Sequence, residues 1–148
     1  MSLETIIQKD LITAMKAKDE IGLRGIRAIK AAIMLAKTDG SGTEINEAFE
    51  IKLLQKLVKQ RKDSLSIFEQ NGREALAQTE REEIEVIERY LPKKLSEAEI
   101  EAIVKNVIAE TGATGMKDMG KVMGAANKIV AGQAEGAVIS AIVKKLLA

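Results

Sequence analysis

A single proline sets how this chain can be divided. Pro92 lies in Leu91-Pro92-Lys93-Lys94-Leu95, and its ring disfavours helix at the residue before it. The 148 residues hold several long segments of period near 3.6 and no strand-like alternation of any length. Aromatic residues make up only 2% of the chain, so its cores must be built from Ile, Leu, Val, Met and Ala, a set that favours helices. The expectation is an all-α protein: an N-terminal helical subdomain of about four helices over 1–91 and a C-terminal three-helix subdomain over 95–148, each folding by itself.

Before the proline, the turn signals Asp39-Gly40-Ser41-Gly42 and Asn71-Gly72 separate helices at roughly 3–18, 20–38, 44–70 and 73–90. The second is apolar or small almost all the way round, with Leu23, Ile26, Ile29, Ala32, Ile33 and Leu35, which places it centrally. After the proline, Ser96 and Glu99 form a capping box with Leu95 and Ile100 as the hydrophobic staple, and Gly112 ends that helix. Asp118 is set to cap the next helix and Gly132 to stop it. At 100° per residue, Met119, Val122, Met123, Ala126, Ile129 and Val130 form its core face, while Lys121, Gly124 and Lys128 lie opposite. The last helix contributes Val138, Ile139, Ile142, Val143, Leu146 and Leu147, and three such stripes close one small core.

Neither cysteine nor histidine occurs. Disulfides, thiolate nucleophiles, Ser-His-Asp and Cys-His catalysis, and His- or Cys-ligated zinc are therefore excluded. The glycines do not follow a nucleotide fingerprint: GATGMKDMG has neither a preceding buried strand nor the lysine position of a P-loop. The acids between Glu80 and Glu88 fall on differing faces of one helix, so they read as a solvated face rather than as paired catalytic or magnesium-binding carboxylates. No metal and no cofactor is expected. No basic segment followed by a long apolar run opens the chain, and no apolar stretch approaches the roughly 18 residues of a spanning helix, so the expected location is cytoplasmic, away from membranes.

Charge is divided unevenly. Residues 1–90 hold 15 basic and 16 acidic side chains, and residues 91–148 hold 8 and 6, which gives the second half a net charge of +2. That half has no aromatic residue to stack on bases, so any RNA contact falls to backbone recognition by Lys117, Lys121, Lys128, Lys144 and Lys145, with Gly124 admitting a phosphate backbone closely. The plain alternative is close helix packing at Gly120 and Gly124 with solvated lysines. Lys52, Lys56 and Lys59 form another cationic stripe, suited to solubility or to RNA. In the first half, Arg61 interrupts the apolar arc of Leu54, Leu57, Val58, Leu65 and Phe68 and needs a partner. Pairing about the Asn71-Gly72 turn sets it opposite residue 82 or so, and Glu80 or Glu83 can supply a bidentate bridge.

The residues DMGKVMGA (Asp118 to Ala125), the G-x-A-x-G turn after them, KQRKDS (Lys59 to Ser64), NGRE (Asn71 to Glu74) and EIEVIERYLPKKLSEAEI (Glu83 to Ile100) resemble the GatB/YqeY family. That family comprises free-standing YqeY proteins and the related C-terminal tail domain of the amidotransferase B subunit, and the resemblance covers almost the whole chain. It implies a helical protein associated with tRNA, in which the amide chemistry resides in portions of the amidotransferase absent here. It also brings a family-level label of carbon-nitrogen ligase activity with glutamine as amide donor, for which this chain has no catalytic constellation. A tRNA-associated accessory protein in translation is thus the leading reading, and a protein-interaction module docking on a translation-related enzyme is the alternative. One departure stands out: Gln133 and Glu135 occupy positions where the family-like turn reads G-R-A-D-G, and losing an arginine there weakens an anion-binding role for the turn.

Overall fold

A computed structural model describes residues 2–42 and 44–148. Among these the chain is all-α, with seven α-helices and one short 3₁₀ turn. It divides into two compact units, residues 1–91 and 92–148.

In the first unit, Ser2 caps α1 (Leu3–Ala17) by accepting from the Thr5 amide at 3.3 Å. Lys18 then takes a left-handed conformation (φ 55°), and Asp19 starts α2 (Glu20–Thr38) by accepting from Gly22 N–H at 3.0 Å. Asn46 caps α3 (Glu47–Gln70), three residues later than the sequence pattern placed its start. Gly72, at φ 67°, supplies the αL residue in the turn from α3 to α4 (Glu74–Glu88).

Helix α2 packs on α1 and α4 and meets α3 more lightly. Its approach to α4 is very close: a Cβ on Gly25 would fall 2.5 Å from Val86 Cγ1, so only glycine fits there. The burial on α2 is one stripe, Gly22, Gly25, Ile26, Ile29 and Ile33, and not the whole circumference that the sequence suggested. Leu35 is 70% exposed and Met34 54%, because Leu35 lies two residues past Ile33, about 200° around the helix. Ile7, Ile29, Ile33, Leu54 and Ile87 are among the fully buried side chains that fill this core.

The second unit is a three-helix arrangement: α5 (Glu97–Thr111), a 3₁₀ turn over Met116–Asp118, α6 (Met119–Val130) and α7 (Gly136–Leu147). Ser96 Oγ accepts from the Glu99 amide at 3.2 Å while donating to Glu99 Oε1 at 3.1 Å. Gly112 closes α5 in the left-handed region (φ 68°). Each helix then buries residues one turn apart: Ile100, Val104 and Val107; Val122, Ala126 and Val130; Ile139, Val143 and Leu147. Burying an aliphatic side chain of this size contributes about 1.5–3 kcal/mol.

Two expectations for α6 need correction. Ile129 is 54% exposed, since the buried 122-126-130 stripe steps by four and leaves residue 129 on the flank. Asp118 makes no capping bond to α6. Its carboxylate instead accepts from the Thr114 amide at 3.0 Å, tying the loop before the 3₁₀ turn.

Candidate nucleic-acid interface

The outer face of α6 is open. A Cβ added to Gly120 or Gly124 would meet no atom within 4 Å, so the reading of these glycines as close packing between helices of this chain is wrong. Gly124 costs the exposed helix interior about 1 kcal/mol relative to alanine, and no intramolecular contact there offsets that cost. Lys121 and Lys128 flank Gly124 on exposed surface, about 10 Å apart along the helix. Their environments differ. Lys121 Nζ reaches back to the carbonyl of Thr111, the last residue of α5, at 3.4 Å. Lys128 has no ion pair or hydrogen-bond partner among the described residues and occupies the last turn of α6.

Lys144 and Lys145 occupy the last turn of α7, and Lys117 the 3₁₀ turn; all three are exposed and unpaired among the described residues. Lysines 128, 144 and 145 thus also face the negative ends of their own helix dipoles, a local stabilisation of about 0.3–1 kcal/mol each at low salt. Because the turn over residues 131–135 is short, α7 folds back along α6, which returns Lys144 and Lys145 toward the end of the unit where α6 begins.

The G-x-A-x-G turn has a structural task that its sequence did not reveal. Gln133 O accepts from Leu95 N–H at 2.8 Å, and Gln133 Nε2 donates to Lys93 O at 3.1 Å. Glu135 Oε1 lies 3.9 Å from Lys94 Nζ. The two positions that depart from the family-like pattern therefore hold the segment 93–95.

In the first unit, Arg61 Nη2 lies 3.7 Å from Glu83 Oε1, with both side chains more than four-fifths buried. This is ion-pair contact, not the bidentate geometry the sequence suggested, and Arg61 Nη1 donates instead to the Leu57 carbonyl at 3.1 Å. Glu83 is shared with Arg24 of α2, at 3.9 Å, and Arg24 also binds Glu82 at 2.9 Å. Arg24 escaped the sequence reading, although its place between the buried positions Gly22, Gly25 and Ile26 was a usable signal. Glu80 makes no ion pair within 4 Å among the described residues. Burial, and next the charge of Glu83, push its carboxyl above the usual range, against the opposing pull of Arg61 and Arg24. Lys59, from the second cationic stripe, pairs with Asp63 at 3.2 Å. Among the described residues no cluster of three or more acids is placed to hold a metal ion, and no helix is long and apolar enough to cross a membrane.

The match to the family of YqeY-like proteins runs over residues 4–147, taking in both units. The chain belongs to the YqeY-like protein family. Curated relatives bear the name "Altered inheritance of mitochondria protein 41, mitochondrial". The one from Lachancea thermotolerans is 40% identical over 106 residues, which is 70% of this chain and 57% of the relative. That from Vanderwaltozyma polyspora is 32% identical over 120 residues, or 76% of this chain and 64% of the relative. That from Saccharomyces cerevisiae is 32% identical over 106 residues, with shares of 70% and 57%. The chain thus spans about three fifths of the length of these curated relatives. Their names overturn the expectation of a cytoplasmic protein, because they point to mitochondria.

Proposed function

We propose that the chain is a non-catalytic, tRNA-associated accessory protein whose second unit meets the phosphate backbone across the outer face of α6. The observation that supports this is the open space over Gly120 and Gly124 beside the free ammonium of Lys128. A helix that lacks side chains on one exposed stripe lets a polyanionic backbone come within reach of flanking lysines. Lys117, Lys144 and Lys145 add cations, and Lys121 contributes while also bonding the end of α5. The choice of tRNA rests on the likeness to the amidotransferase B tail. The setting follows the mitochondrial relatives, and the Gln133 turn takes no part in binding.

The test is a titration of labelled tRNA at ~50 and ~200 mM salt. Several phosphate contacts lower affinity by an order of magnitude or more over that range, through counterion release. Lys128→Glu should remove most binding without altering the fold, and Lys121→Glu should weaken binding with some loss of stability. Absence of binding at the lower salt, or indifference to Lys128→Glu, overturns the reading.

A second reading has its own support. Met116 (47% exposed) and Ile129 (54% exposed) put apolar surface on this unit, which suits docking on a translation-related protein. Such an interface would be nearly indifferent to salt.

A further inference from the structure

Asp10 stands in step with Leu3, Ile7 and Ala14, the buried residues of α1, where the helical pattern calls for an apolar side chain. It is partly buried, and its carboxylate accepts a 2.6 Å hydrogen bond from the Tyr90 hydroxyl. Among the described residues no lysine or arginine pairs with it. Burial, then the hydrogen bond to Asp10 and its charge, hold the Tyr90 phenol far above its usual range, so Tyr90 remains a neutral donor. The Asp10 carboxylate is thus fixed in a half-apolar setting by the Tyr90 hydroxyl, with no ion-pair partner among the described residues.

That carboxylate borders a groove of about 520 Å³ floored by Leu3, Ile6, Ile26 and Val86, a volume within the range of small-molecule sites. Asp19 lines it as well, beyond the end of α1. The helix runs about 10 Å from Asp10 to Ala17 before the turn that carries Asp19, so the two acids are spaced along the groove rather than clustered. Asp19 Oδ1 accepts from Gly22 N–H, so its charge is partly balanced by the start of α2. Arg89, the cation of the lining, has its guanidinium 3.5 Å from Glu85.

We propose that this groove binds a linear aliphatic polyamine. One ammonium sits on Asp10 beside the face of Tyr90, the methylene chain lies on the apolar floor, and a second ammonium extends toward Asp19. Charge complementarity favours this occupant: the groove sets two acids about 10 Å or more apart over an apolar strip, and an extended polyamine carries cations at that spacing on an apolar chain. A lysine side chain of a partner protein offers the same ammonium but only one of them.

The experiment is calorimetric titration of the full chain with spermidine, with butylamine as a single-ammonium comparator and a short lysine-bearing peptide as the protein-like one. Spermidine should bind, and Asp10→Asn should weaken it by about tenfold or more. Asp19→Asn keeps a good capping residue for α2 and should weaken binding by a smaller factor. Glu110→Gln, an exposed acid of the other unit, should change nothing, and circular dichroism with thermal melting shows whether each variant is folded. No binding at millimolar spermidine, or binding that a folded Asp10→Asn leaves unchanged, overturns the proposal. Butylamine matching spermidine overturns the two-carboxylate site. A lysine peptide that binds more tightly than spermidine and depends on Asp10 overturns the small-molecule assignment in favour of a protein partner.

Discussion

Glycine is used in opposite ways in the two units. In α2 of the first unit, the space a Cβ would need at Gly25 is already filled by Val86, so the absent side chain is what allows two helices to close on one another. In α6 of the second unit, the same space at Gly124 is empty, and the absent side chain serves no contact of this chain. The charges divide in the same manner. In the first unit Arg24, Arg61, Glu82 and Glu83 face one another between helices, whereas Lys117, Lys128, Lys144 and Lys145 of the second face solvent. A feature explained from within belongs to folding; a destabilising one with no internal explanation is where a partner should be sought.

Substitution can break this contrast, and the largest effect is expected in the charged cluster. Arg61→Leu leaves Glu83 buried with only Arg24 facing it. Stability should fall by an amount toward the lower end of about 3–5 kcal/mol, measured by urea unfolding; a loss below about 1 kcal/mol would mean the pair carries little. Next come the glycines, compared directly. Gly25→Ala should destabilise by about 1–3 kcal/mol through overpacking against Val86, while Gly124→Ala should stabilise by about 0.5–1 kcal/mol. Equal signs in the two melts would end the distinction between the two glycines. The smallest effect concerns Glu80. Its raised folded-state pKa means the folded protein holds that proton more tightly than the unfolded chain does, so stability falls as pH rises from the ordinary carboxylate value through the raised one. Glu80→Gln should therefore raise the melting temperature at pH 7, with the gain over the parent vanishing as pH drops below about 4.

Most of the helices were legible because their apolar periodicity and end signals agree: Ser96 and Glu99 begin α5 and Gly112 ends it, as the local chemistry requires. What misled were positions where two local rules compete. Asp118 has the chemistry of a cap, yet its carboxylate is engaged by Thr114 four residues earlier. Ile129 and Leu35 look like core residues by type, but Ile129 flanks a stripe already completed by residues four apart and Leu35 lies on the face opposite the buried stripe of its helix. In the first unit, hairpin register alone brought Arg61 to the right stretch of α4, whereas Arg24 arrives from a helix whose crossing depends on Gly25, and no spacing within α3 or α4 reports it. The lysines of the second unit were visible as charges, but the openness of the face between them emerges only from three-dimensional packing.

The hold of Gln133 on residues 93–95 has a consequence for the survival of the chain. Lys93 and Lys94 are adjacent, exposed and basic, just past a proline, where a trypsin-like protease would be expected to cut. Cleavage requires a segment to leave its neighbours and enter the enzyme's cleft as an extended strand. With the Lys93 carbonyl and the Leu95 amide both bonded to Gln133, that departure needs two hydrogen bonds to open together, so susceptibility follows the rarity of this local opening rather than the exposure of the lysines. Gln133 thus acts as a latch on the peptide bonds that follow Lys93 and Lys94.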